Sequence, residues 1–101
     1  MPCWTADAAL LDELRAFYRS ALAERVQTLS AARAAASDPV ARTTMRRMAH
    51  ALRGSGSTYG FPDVTAAAAR VEEASEADLL GAVDGLLTVI RVVADGHDEV
   101  P

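Results

Sequence analysis

Lysine is missing from this chain of 101 residues, so all ten cationic side chains are arginine. Cysteine occurs once, at Cys3, which excludes an internal disulfide and leaves no thiolate metal cluster. Histidine occurs only at His50 and His97, so any imidazole chemistry has two candidates. Aromatics are 5% of the chain, and glycine, proline and charge are too sparse for a disordered polymer. No uncharged run approaches the roughly 20 residues that a membrane span requires. The start, Met1-Pro2-Cys3-Trp4-Thr5, lacks the basic and apolar regions of a secretory signal, and the chain reads as cytoplasmic. The net charge of −4 excludes a general nucleic-acid coat, which needs a basic excess against phosphate.

What is present points to helices. Half of the residues are hydrophobic, and alanine, the best helix former, is used heavily. Residues 1–101 are read as one domain, with 1–5 and 96–101 as frayed tails. Thr5 is expected to cap a first helix of about thirty residues, whose apolar steps are Leu11, Leu14, Tyr18, Leu22, Val26 and Leu29. Leu10 and Phe17 are expected to widen that face. Ser37-Asp38-Pro39 ends this helix and starts a second, with Pro39 at its first position. Met45, Met48, Leu52 and Tyr59 form the second stripe, and the two methionines read as core filler. Gly60-Phe61-Pro62 breaks the helix. A third follows with Val64, Ala67, Ala68 and Val71 inward. Ser75 to Asp78 resembles a capping box opening a fourth, which carries Leu79, Val83, Leu86, Ile90 and Val93 and stops near Gly96. The expected fold is all-α, an antiparallel four-helix bundle.

On a wheel of about 100° per residue, His50 lies roughly 160° from both Met48 and Leu52 and should face water. Arg46, Arg47, Arg53 and Gly54 lie one turn away, and Thr43 and Ser57 two turns away. Taken alone, this could be a solvated helix face. Clustered like charges, however, cost a few tenths of a kcal/mol per pair, and a helical Gly54 costs about 1 kcal/mol relative to alanine. A partner or an anion would explain both. The arrangement suits a phosphoryl group: neutral imidazole is a competent nucleophile near pH 7, and guanidinium forks compensate charge on the equatorial oxygens. His97, in the polar tail, is expected to be exposed and without a role. Trp4 is expected to pack against the bundle end.

Ala49-His50-Ala51-Leu52-Arg53-Gly54-Ser55-Gly56-Ser57-Thr58-Tyr59-Gly60 resembles the signature of histidine-containing phosphotransfer (HPt) domains. It is also similar to the N-terminal phosphotransfer domain of chemotaxis histidine kinases. The resemblance covers the chain from about Leu10 to Val93. It implies that His50 is the phosphorylated residue, reacting through Nε2. Arg53 takes the position where the family usually carries lysine beside the phosphoryl group; it keeps the charge but as a planar fork. Gly54 matches the glycine that lets a receiver domain dock. Glu72 falls where the chemotaxis domains carry a glutamate bonded to Nδ1; on its residues alone it is equally an ordinary exposed carboxylate. If the resemblance holds, the Gly54 to Ser57 run is helix to about Tyr59, a docking surface and a close helix contact instead of a linker.

The resulting expectation is a carrier that takes a phosphoryl group on His50 and exchanges it with an aspartate of a response-regulator receiver. Arg46, Arg47, Gly54 and Ser57 would face partners, and Arg53 and Glu72 would assist the histidine. A sensor or hybrid kinase is the other expected partner. No metal site is expected in the chain, since the Mg²⁺ would sit on the receiver. With no GxxxxGK[ST] loop, no kinase activity of its own is expected. A monomer is expected, and the initial methionine favours a stand-alone protein. Two alternatives stand beside this reading. One is the dimeric phosphoacceptor domain of a larger histidine kinase. The other is a non-catalytic helical adaptor that binds an acidic partner through Arg46, Arg47 and Arg53.

Overall fold

Proline, glycine and a capping aspartate set where the helices start and stop. The computed structural model describes the backbone of residues 3–96 and the side chains of residues 9–96; His97, the tail beyond it and the side chains of Cys3 and Trp4 lie outside the described residues. Helix α1 spans Cys3–Ala34, α2 Pro39–Gly56, α3 Pro62–Glu73 and α4 Leu79–Ala94. Thr5 therefore lies inside α1 and does not cap it. Asp38 caps α2, its carboxylate accepting from the Val40 amide at 2.9 Å while Pro39 fills the first turn.

After Gly56 the chain tightens into one 3-10 turn, Ser57–Tyr59, so the helical path does continue through the glycine-serine run to Tyr59. Gly60 then takes φ 86°, a left-handed conformation that stops it. Ser75 Oγ accepts from the Asp78 amide, one half of a capping box, but donates to the Asp78 carboxylate itself, and it does so on a turn that precedes α4. Gly96, at φ 98°, closes α4.

The four helices pack in a ring, α1 against α2, α2 against α3, α3 against α4 and α4 against α1. They are antiparallel: Arg33 meets Asp84 and Ser30 meets Arg91, while Tyr18 meets Ser55 at the other end of α1's packed stretch. Leu22, Leu29, Met45, Val64, Val83 and Ile90 are among the fully enclosed core side chains. Each buried aliphatic of this size contributes about 1.5–3 kcal/mol. Among the described residues no polar or charged residue is buried and no strand forms.

Helix α1 departs from its expected role over its first half. Tyr18, Leu22 and Leu29 are buried and Val26 packs against them, but Leu10, Leu11, Leu14 and Phe17 are exposed. The reason is length. At 1.5 Å per residue α1 runs about 48 Å and α4 about 24 Å, so α1 outruns its neighbours: Arg15 and Tyr18 still meet Phe61 and Tyr59, but Leu10, Leu11 and Leu14 before them stay exposed. The longest dimension, 56 Å against 25 and 22 Å, reflects this overhang.

Candidate functional site

Helix α2 presents His50 away from its buried face of Met45, Met48, Ala49 and Leu52, and the imidazole is 80% exposed. Its ring is nevertheless held. Nδ1 lies 2.9 Å from Oε2 of Glu72, a residue of the last turn of α3 whose side chain is only 23% exposed. A carboxylate accepts only, so the neutral ring bonded to it carries its proton on Nδ1 and leaves the Nε2 lone pair free. The hydrogen bond from His50 is the foremost cause holding the Glu72 carboxyl below its ordinary range. Partial desolvation opposes it, and the charges of His50 and Arg53 add to it. Arg53 Nη1 stands 3.5 Å from Oε1 of the same carboxylate, a long contact that leaves the guanidinium half exposed beside the histidine.

The other arginines do not converge on the imidazole. Arg46 turns to α3: Nη1 donates to the Val71 carbonyl and Nη2 to the Ala74 carbonyl, each at 3.1 Å, with Glu76 at 3.4 Å. The guanidinium, expected on the partner-facing surface, is 31% exposed and is also engaged at the end of α3, where the Val71 carbonyl accepts from the Ala74 amide as well. Arg47 is exposed and borders a groove shared with Arg25 of α1. The positive face foreseen around His50 is therefore partly neutralised by Glu72 and Glu76.

The two glycines of the signature divide their duties. A Cβ on Gly54 would meet nothing within 4 Å. On Gly56 it would stand 2.6 Å from Thr65 Oγ1 and 2.8 Å from Thr65 N, so Gly56 makes the close contact between α2 and α3. Thr65 staples that contact, accepting from the Ser57 amide at 2.8 Å and donating to the Arg53 carbonyl at 3.1 Å. Ser57 is exposed at the start of the 3-10 turn, its amide committed to Thr65.

Three features lay outside the sequence reading. Tyr18 stacks on Tyr59 with ring centroids 4.5 Å apart and shares a 2.7 Å hydrogen bond with Ser55; burial raises its phenol pKa. Arg25 of α1 borders a groove with Ala21, Ala51 and Ser55, next to Arg47 on α2. Arg25 belongs to a different helix, and no spacing along the chain links it to His50. Thr65 likewise carried no local signal. Among the described residues no group of three or more histidine, cysteine, aspartate or glutamate side chains is placed to hold a metal ion, and no helix is long and apolar enough to cross a membrane.

The Hpt domain family model matches residues 13–96, most of the chain, and the protein belongs to that family. No curated protein and no solved structure shows a significant match to the chain. Membership implies histidine phosphotransfer in two-component signalling, in which Hpt domains work with kinases and response regulators.

Proposed function

We propose that this Hpt-family protein carries a phosphoryl group on Nε2 of His50 and exchanges it with the aspartate of a response-regulator receiver domain. One observation supports this above the others: an 80% exposed imidazole whose Nδ1 is held at 2.9 Å by a carboxylate. The Nε2 lone pair attacks phosphorus of the aspartyl phosphate. A P–N bond forms, the P–O bond to the aspartate breaks, and the carboxylate leaves with the electron pair. The imidazole becomes positively charged, and Glu72 stabilises it across the Nδ1 hydrogen bond. Arg53 is the guanidinium on the same face and compensates charge on the phosphoryl oxygens. The receiver would contribute Mg²⁺ for the remaining charge. The reverse reaction uses the same groups, and with a partner kinase the same Nε2 lone pair would attack the γ-phosphorus of ATP, breaking its P–O bond to ADP, which leaves with the electron pair.

Gly54 leaves open surface one turn beyond His50, and Arg47 beside it offers a positive charge to an acidic partner. Incubation with a phosphorylated receiver should yield acid-labile phosphate on the wild-type protein and none on His50→Gln. Transfer that survives the substitution overturns the assignment. Receiver binding that persists without any phosphate transfer would instead support an adaptor. A monomer by light scattering is expected, whereas the phosphoacceptor domain of a larger kinase would be a dimer.

A further inference from the structure

The carboxylate that orients His50 sits where a helix is weakest. Glu72 lies in the last turn of α3, which ends at Glu73. The final carbonyls of a helix have no partner within it, and such ends fray. A residue there would hold an imidazole poorly unless the turn were fastened from outside.

Arg46 fastens it. The residue stands one turn before His50 on α2, so the two side chains project from the same side of that helix toward α3. Its guanidinium spans the carbonyls of Val71 and Ala74, which lie on either side of Glu72, each at 3.1 Å. Glu76, 3.4 Å from the same nitrogen, restrains the fork further. At its other end the α2–α3 pair is pinned by Gly56 and Thr65. Between these fastenings the Glu72 carboxylate meets Nδ1 at 2.9 Å. The Arg53 contact, at 3.5 Å, is too long to perform this service alone.

We infer that Arg46 is a positioning residue for His50: by clamping the Val71 and Ala74 carbonyls it fixes Glu72, which holds the imidazole proton on Nδ1 and keeps Nε2 free. The role deepens the phosphotransfer reading of His50 and rests on it for its consequence in transfer. The tautomer, however, is measurable without any phosphate or partner.

The ring-nitrogen chemical shifts of 15N-labelled protein, taken where the imidazole is neutral, report which nitrogen carries the proton. Wild type should show the Nδ1–H form as the major species. Arg46→Met, which retains the stem and removes the fork, should raise the Nε2–H form. Arg46→Lys, with a single point donor for two carbonyls, should shift the ratio in the same direction by less. In a Glu72→Gln background, Arg46→Met should change the ratio no further, because the arginine acts through that carboxylate. A wild-type tautomer ratio in Arg46→Met overturns the inference, even if the melting temperature falls. If that variant does not fold, a wild-type ratio in Arg46→Lys overturns it equally. His50→Gln phosphorylation addresses the other reading, so the two failures are distinguishable.

Discussion

Glu72 is the residue whose ionisation should register the site most directly. Its carboxyl is held below the ordinary range, first by the hydrogen bond from His50, against partial desolvation, with the His50 and Arg53 charges and the Arg53 contact adding to it. A carboxylate with a lowered folded-state pKa stabilises the fold above its unfolded pKa, and that stabilisation is lost as pH falls through the lowered folded value. The His50–Glu72 link should therefore persist at neutral pH and fail only in acid. A carboxyl-carbon NMR titration should place the Glu72 midpoint below that of a free glutamate. His50→Ala should move the midpoint up, and Arg53→Ala should move it up by less. A midpoint indifferent to His50→Ala would contradict the hydrogen bond as the main cause. The wheel located His50 correctly because exposure follows from periodicity within a single helix. It could not foresee that Arg46 would turn away, since the carbonyls that attract it belong to α3.

At the scale of elements, Gly54 and Gly56 look alike along the chain and differ only once α3 is in place. Gly54→Ala should stabilise the protein by about 0.5–1 kcal/mol, because its Cβ enters open space on a helix. Gly56→Ala should destabilise it by about 1–3 kcal/mol, because its Cβ is driven into Thr65. Chemical denaturation of both variants checks the contrast, and matching signs would refute the division of duties. The starts of α2 and the stop of α4 were legible because Asp38-Pro39 and Gly96 act through local hydrogen bonds and dihedrals. Thr5 was misread as a cap because α1 begins earlier, at Cys3.

For the whole molecule, the governing fact is that α1 is twice as long as α4, 32 residues against 16. Periodicity marked Leu10, Leu11, Leu14 and Phe17 as apolar but could not supply helices to cover them. Phe17, 68% exposed, should therefore be dispensable for folding: Phe17→Ser should change stability by less than about 0.5 kcal/mol. Leu22→Ala, within the packed half, should cost about 2–5 kcal/mol. Phe17 lies one turn before Ala21, on the side of α1 that borders the groove toward Ala51. Phe17→Ser should accordingly weaken receiver binding measured by calorimetry while leaving the melting curve in place. Unchanged affinity would show that this side of α1 takes no part in receiver docking.

Local interactions explain what the amino-acid sequence determined by itself. Apolar spacing, proline, glycine and the Asp38 cap encode four helices and the solvent-facing position of His50, since each depends on neighbours within a few residues. Tertiary structure decided the rest. The pairing of His50 with Glu72, the diversion of Arg46 to the end of α3, the separate duties of Gly54 and Gly56 and the exposed leucines early in α1 all depend on a second helix. The absence of lysine acquires a meaning there as well. Arg46 holds two carbonyls at once through a planar fork, which a point charge on a flexible stem cannot do as well.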